Sequence, residues 1–160
     1  LDFTDFSGRD GKLEPRISPD GRKIAFLFKN GKGAGRSVYV GQIDEPYKVK
    51  GVIPIHLGCF SAWAKDSSHF IMCVFTPGGT ALHIASADGS SLSPLTEGGA
   101  WNYFPGWSPD ETGYVWSQSP TPFHDHDTGR YDIYIASFKD RTPIRLTFHD
   151  ASDIDPSWRP

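Results

Sequence analysis

The chain has 160 residues, of which 38% are hydrophobic, 14% aromatic and 22% charged, and its net charge is −3. Such a composition supports a globular core. It contains no run of about 18 apolar residues, which excludes a membrane-spanning helix, and no basic stripe, which argues against nucleic acid as a partner.

The charge is unevenly spread. Residues 1–55 hold ten Lys/Arg against seven Asp/Glu, residues 56–96 one against two, and residues 97–160 five against ten, giving +3, −1 and −5. Leu1-Asp2-Phe3-Thr4 has neither the basic start nor the apolar centre of a signal peptide. Cys59 and Cys73 are too few for a disulfide framework and are expected to be free thiols.

In chain order, residues 15–19 form the first predicted strand, and Pro19-Asp20-Gly21 is a turn suited to a hairpin. Lys23-Ile24-Ala25-Phe26-Leu27-Phe28 follows, apolar on both faces, as a strand sandwiched between two sheets would be. A glycine-rich loop at 30–35 lacks the Gly-Lys-Ser/Thr ending of a phosphate loop. Strands at 37–41 and 48–55 complete four. Residues 60–64, 70–75, 81–85 and 92–96 repeat the set, and 105–108, 113–117, 132–137 and 143–147 repeat it again. The joins are frayed copies of one motif: Pro15-Arg16-Ile17-Ser18-Pro19-Asp20-Gly21, Ser61-Ala62-Trp63-Ala64-Lys65-Asp66, Pro105-Gly106-Trp107-Ser108-Pro109-Asp110 and Pro156-Ser157-Trp158-Arg159-Pro160. Ile17, Trp63, Trp107 and Trp158 are 46, 44 and 51 residues apart. A period of roughly 40–50 residues is the length of one four-stranded propeller blade. Leu95-Thr96 and Leu146-Thr147 stand at the same offsets before the repeat proline. The fold class expected is all-β: a β-propeller of four-stranded antiparallel blades at about 1–55, 56–96 and 97–147, with the start of a fourth at about 148–160. The three tryptophans of the motif are expected in the core.

Ser18-Pro19-Asp20-Gly21-Arg22-Lys23-Ile24-Ala25-Phe26, Trp107-Ser108-Pro109-Asp110 and Asp132-Ile133-Tyr134-Ile135 resemble the WD-like repeat of TolB-type β-propellers. The resemblance covers essentially the whole chain. It departs at the second repeat, where Ala64-Lys65-Asp66-Ser67-Ser68 replaces Ser-Pro-Asp-Gly. It implies binding platforms of the bacterial envelope, gating domains of peptidases or, more rarely, enzymes, and a periplasmic or secreted location.

In such a blade the loops between second and third strands share a rim with those leading to the next blade. Here these are the rich loops, and long loops on a rigid scaffold usually carry function. His124-Asp125-His126-Asp127 is one ligand-binding candidate, with imidazoles and carboxylates suited to a transition metal. Four neighbours in one loop do not converge on one ion, so a solvated polar loop is the alternative. His149, Asp150, Asp153 and Asp155 resemble oxygen ligands for calcium but lack the glycine and closing Glu of that loop. Turn chemistry is their alternative. Trp101, Tyr103 and Phe104 form an aromatic wall for a peptide or sugar, or else pack between blades. Neither a Gly-x-Ser-x-Gly elbow nor an ordered Ser/His/Asp set is present, so no catalytic residue, metal or cofactor is assigned.

The function expected is a non-enzymatic scaffold binding a protein or peptide through the loop-rich face. The alternative is the propeller portion of an enzyme, either a serine peptidase or a metal-assisted polysaccharide lyase. Three blades leave two outer faces wet, and closed propellers typically have about 4–8. A homodimer completing a six-bladed ring, with the +3 end against the −5 end, is one expectation. A longer chain is the other.

Overall fold

The computed structural model describes residues 12–29, 35–44, 48–120 and 129–158. Among these, eleven strands and no helix are found. The strands are β1 (Lys12–Ile17), β2 (Lys23–Lys29), β3 (Arg36–Asp44), β4 (Lys48–Trp63), β5 (His69–Thr76), β6 (Gly79–Ser86), β7 (Leu92–Pro94), β8 (Trp101–Trp107), β9 (Gly113–Ser119), β10 (Asp132–Ser137) and β11 (Ile144–Arg145). β1 to β7 are hydrogen-bonded in sequence order, and β8 to β11 form a second meander. The described residues make two compact units, one within Leu1–Met72 and Ala85–Leu92, the other within Cys73–Ile84 and Ser93–Pro160.

β4 differs from expectation. The fourth strand of the first repeat and the first strand of the second run on as one 16-residue strand. Between Ile55 and Phe60 the sequence His56-Leu57-Gly58-Cys59 holds no break like Gly98-Gly99, which opens the corresponding join between β7 and β8 with Gly99 at φ 90°. Irregular register against β3, between Val38 and Tyr39 and between Val40 and Gln42, absorbs the twist.

The repeat motif is a turn with its own hydrogen bonds. Ser18 N–H donates to the Lys23 carbonyl (2.9 Å) and Ser108 N–H to that of Gly113 (2.9 Å). In both copies the serine hydroxyl donates to the aspartate two residues on, at 2.6 Å. It also accepts a backbone N–H, from Lys23 or Gly113, at 2.9 Å. Ala64 keeps the backbone bond, to His69 at 2.9 Å, without a side chain to add to it. The turn's fourth residue is left-handed in the first three copies: Gly21 at φ 72°, Ser67 at 58° and Glu111 at 56°. A Cβ at Gly21 would meet nothing within 4 Å. Gly21→Ala should therefore cost only the left-handed penalty of about 1–2 kcal/mol, read as a lowered urea midpoint at unchanged slope.

These turns tie the fold to pH. The Ser108 hydroxyl, then the Thr112 N–H, hold Asp110 at about 2, and in the separate turn between β6 and β7 the Ser90 N–H and hydroxyl hold Asp88 at about 2, both below the ordinary 3.8. A depressed folded value means that the unfolded chain binds the proton more readily. The stability these turns supply is complete above the ordinary value and is lost as pH falls from there toward 2. The thermal midpoint should drop across that window, and Asp110→Asn should flatten the drop.

Leu-Thr also acquires a physical reason. Leu95 N–H donates to the Leu82 carbonyl and Leu146 N–H to that of Ile133, at 2.8 and 2.7 Å. The neighbouring threonine hydroxyls accept from the N–H of Leu82 and Ile133, at 2.8 and 2.9 Å. Each motif therefore fastens a short outer strand to its neighbour.

The residue before the repeat proline is left-handed in three copies: Glu14 (φ 52°), Phe104 (52°) and Asp155 (56°). In β1 and β8 the register shifts at this point. A bulge thus recurs where a pre-proline residue would ordinarily be extended.

The second strand of each repeat is buried on both faces: Ala25–Phe28 in β2, Phe70–Val74 in β5 and Tyr114–Ser117 in β9. In the first unit Phe26, Phe28, Tyr39 and Val52 pack with Ile24 and Val49, and Phe26 stacks on Tyr39 at 5.8 Å. In the second, Trp116 stacks between Tyr114 (5.2 Å) and Tyr134 (5.7 Å). Cys59 and Cys73 are buried free thiols.

Two expectations are corrected. The motif tryptophans are not fully buried: Trp63 and Trp107 are half-buried and Trp158 is 40% exposed. Trp63 and Trp107 are the last residues of β4 and β8, next to the turn, and Trp158 lies in no strand. The second concerns the wet outer faces: Ala25–Phe28 of β2 are buried. Among the described residues the exposed large apolar side chains are Ile17, Leu57 and Phe75 and, in the last stretch, Ile144, Leu146, Phe148, Ile154 and Trp158.

Candidate functional site

The β8–β11 meander gathers one rim. Asn102 faces Gln118, and Gln118 faces Asp132 across the next ladder, while Arg145 pairs with Tyr134. The start of β8, the end of β9, the start of β10 and the end of β11 therefore lie at one end of the sheet. The loops leaving them share that end, as expected from strand direction.

The loop after β11 is fastened to the residues that lead into β10. Ser152 Oγ donates to the Gly129 carbonyl at 2.9 Å and accepts the Tyr131 N–H at 3.3 Å. Asp153 N–H donates to the Tyr131 carbonyl at 2.8 Å. His149 Nε2 lies 3.0 Å from Asp153 Oδ2, so two of the sequence candidates do meet. Asp150 is fully exposed, 3.9 Å from Arg130, and so exposed a pair contributes little to stability. Asp155 is exposed in its left-handed backbone. His124, Asp125, His126 and Asp127 lie outside the described residues. Among the described residues no three His, Cys, Asp or Glu side chains gather as a metal site.

The aromatic wall separates into two kinds of residue. Tyr103 is fully buried, stacked on Trp101 at 6.1 Å and near Tyr131 at 6.2 Å. It is core, not a contact surface: it pairs in regular register with the buried Ser117 of β9. Trp101 and Phe104 are half-buried. Trp101 begins β8 opposite Ser119 and stands at the rim.

Sequence reading missed the residues that give this rim its chemistry. Arg145 Nη2 lies 2.9 Å from Asp132 Oδ2, and its Nε donates to the Thr147 carbonyl at 2.7 Å. The guanidinium sits 5.0 Å above the ring of Phe148, and Phe148 is 72% exposed. A cation over an aromatic face is favourable. It also presents the ring to solvent in a fixed pose. The Leu-Thr motif marked the position, since Arg145 and Phe148 flank it.

Known structures place this architecture. TolB from Acinetobacter baumannii superposes with a TM-score of 0.61 at 18% identity, over 89% of this chain and 33% of that one. The fold is a TolB-like β-propeller. A puromycin-hydrolysing peptidase of Mycobacterium tuberculosis superposes on this chain at TM-score 0.71 and 12% identity, over 88% of it and 22% of the peptidase. The β-propeller domain of the Trilobed protease from Pyrococcus furiosus gives 0.55 at 18%, over 88% of the chain and 43% of that domain structure. The chain thus spans less than half the length of each. It forms a partial propeller of roughly three blades. No protein-family model and no curated protein matches the sequence.

Proposed function

We propose that the chain is a non-enzymatic binding scaffold that takes a protein or peptide partner on the β8–β11 rim. The observation carrying this is Phe148, mostly exposed yet held under Arg145, beside a loop fastened by Ser152 and Asp153. Aromatic residues and arginine are the side chains that concentrate binding energy at protein interfaces. The likeness to TolB supports a binding role and, as part of the same proposal, a periplasmic or secreted location. Titration of isotope-labelled protein with a panel of linear peptides should move amide signals at Trp101, Arg130, Arg145 and residues 147–153. Phe148→Ala should weaken that binding about tenfold or more. Peptides that shift nothing there would remove the reading.

A second reading, the propeller portion of a serine peptidase, is favoured by the superposition on the puromycin-hydrolysing peptidase. A partner α/β domain binding this chain would support it; the polysaccharide-lyase form would instead require a stoichiometric metal.

The proposal extends to self-association. Ile144, Leu146, Ile154 and Trp158 are exposed within an acidic stretch, while residues 1–55 carry +3 against −5 for residues 97–160. A head-to-tail pair that completes six blades would cover them. Sedimentation should show a dimer that weakens with salt, and a compact monomer at micromolar concentration would eliminate the ring.

A further inference from the structure

We infer that a second recognition site lies beside the rim: the cleft between the end of β7 and the c–d turn of the third repeat binds a short peptide by its two free termini. This rests on the peptide-binding reading above and gives it an address. The cleft measures about 610 Å³ and is lined by Leu95, Glu97, Ala100, Gln118 and Arg141 among others. Pockets of roughly 300–1,000 Å³ hold small ligands.

Its walls are held by bonds that no ligand is needed to form. Tyr114 Oη donates to the Leu95 carbonyl at 3.0 Å, and Arg141 Nη1 donates to that of Pro94 at 3.0 Å. The Ala100 carbonyl accepts the Thr80 N–H at 2.9 Å and the Asn102 amide at 3.3 Å. Gly79 permits this approach, since a Cβ there would stand 2.1 Å from the Ala100 oxygen. The cleft is therefore a rigid feature of the fold.

The chemistry of the lining selects the ligand. Arg141 and Glu97 are both exposed. Among the described residues neither forms an ion pair. Arg141 spends one N–H on Pro94, and a guanidinium has five. The remaining donors suit a carboxylate, which arginine grips through two parallel bonds. Glu97 suits an ammonium. Between them Gln118 offers an amide for a peptide bond, while Leu95, Ala100 and the flanking Pro94 give apolar walls. One cation, one anion, an amide and small apolar surfaces match a short peptide with charged ends. They do not suit a polyanion, which Glu97 would repel, nor a purely apolar ligand, which would strip water from both charges.

The probe is the tripeptide alanine–proline–alanine with both termini free, titrated into labelled protein. Signals of Leu95, Glu97, Ala100 and Gln118 should move. Amidating the peptide's carboxyl end should weaken binding about tenfold, as losing a charge-assisted pair does. Acetylating its amino end should weaken it in the same direction. Arg141→Lys keeps the charge but loses the fork and should mimic amidation. Glu97→Gln should abolish the effect of acetylation alone. Equal binding of acid and amide overturns the inference, as do shifts confined to Trp101, Phe148 and His149, and either result leaves the rim reading standing. If neither this tripeptide nor any peptide of the panel shifts the protein, both fall.

Discussion

Trp116→Ala should be the most destabilising of the tryptophan truncations, at about 3–5 kcal/mol, as expected for emptying a large side chain from a packed core. Trp116 is fully buried in β9 and sandwiched by Tyr114 and Tyr134. Its indole N–H donates to Asn102 Oδ1 at 2.9 Å, so truncation opens a cavity and also strands a buried acceptor. Trp107 is half-buried against Phe138 at 5.1 Å, and Trp107→Ala should cost about half as much. Trp158, 40% exposed at the edge of an open cavity, should cost about 1 kcal/mol or less. Urea unfolding of the three variants tests the order. Equal losses at Trp116 and Trp158 would show that the motif position, rather than the second strand, holds the core.

That order differs from what the repeat motif suggests, and the difference shows what the sequence can carry. The motif's spacing and the doubly apolar strands are local patterns, and the strands at 23–29, 69–76 and 113–119 lie where those patterns put them. Trp107 and Trp158 look like core because they recur. Recurrence marks an equivalent place in each repeat without saying how much of that place is covered. Trp116 sits in a strand buried on both faces, and the same reasoning applied to residues 24–28 picks it out. The bulge before each repeat proline was illegible, because a pre-proline residue argues for extended backbone and Glu14, Phe104 and Asp155 are left-handed. At the rim, His149 and Asp153 were legible only within a run of possible calcium ligands, not as the pair they form. The Arg145–Asp132 pair joins β10 and β11, and the Arg145–Phe148 stack follows from where β11 ends. Neither follows from composition, since the strand pairing that sets them is a product of the fold.

Asn102→Ala should cost about 2–4 kcal/mol of stability, read as a lowered urea midpoint, far beyond what an exposed asparagine costs. Asn102 is buried at the start of β8 and joins three elements. Its backbone N–H donates to Thr80 Oγ1 at 2.7 Å, and the Thr80 hydroxyl donates back to the Asn102 carbonyl at 2.7 Å. Its side-chain amide donates to the Thr80 carbonyl at 2.5 Å, and its Oδ1 accepts from Trp116. Removing the amide leaves the Thr80 carbonyl without its side-chain donor and the Trp116 N–H with only the longer bond to Gln118, at 3.3 Å. Buried groups stripped of partners cost their full desolvation. Asn102→Asp separates size from chemistry: it keeps an acceptor for Trp116, loses the donor to Thr80 and buries a charge, so it should rescue nothing. Thr80→Val removes a different set of bonds, those of its hydroxyl to the Asn102 backbone, which Asn102→Ala leaves in place. Because both sets fasten β6 to β8, losing one loosens what the other holds, and the double variant should cost clearly less than the sum of the two. Additive losses would mean that Asn102 and Thr80 act independently, and the rim would then lack the polar fastener that holds β6 to β8.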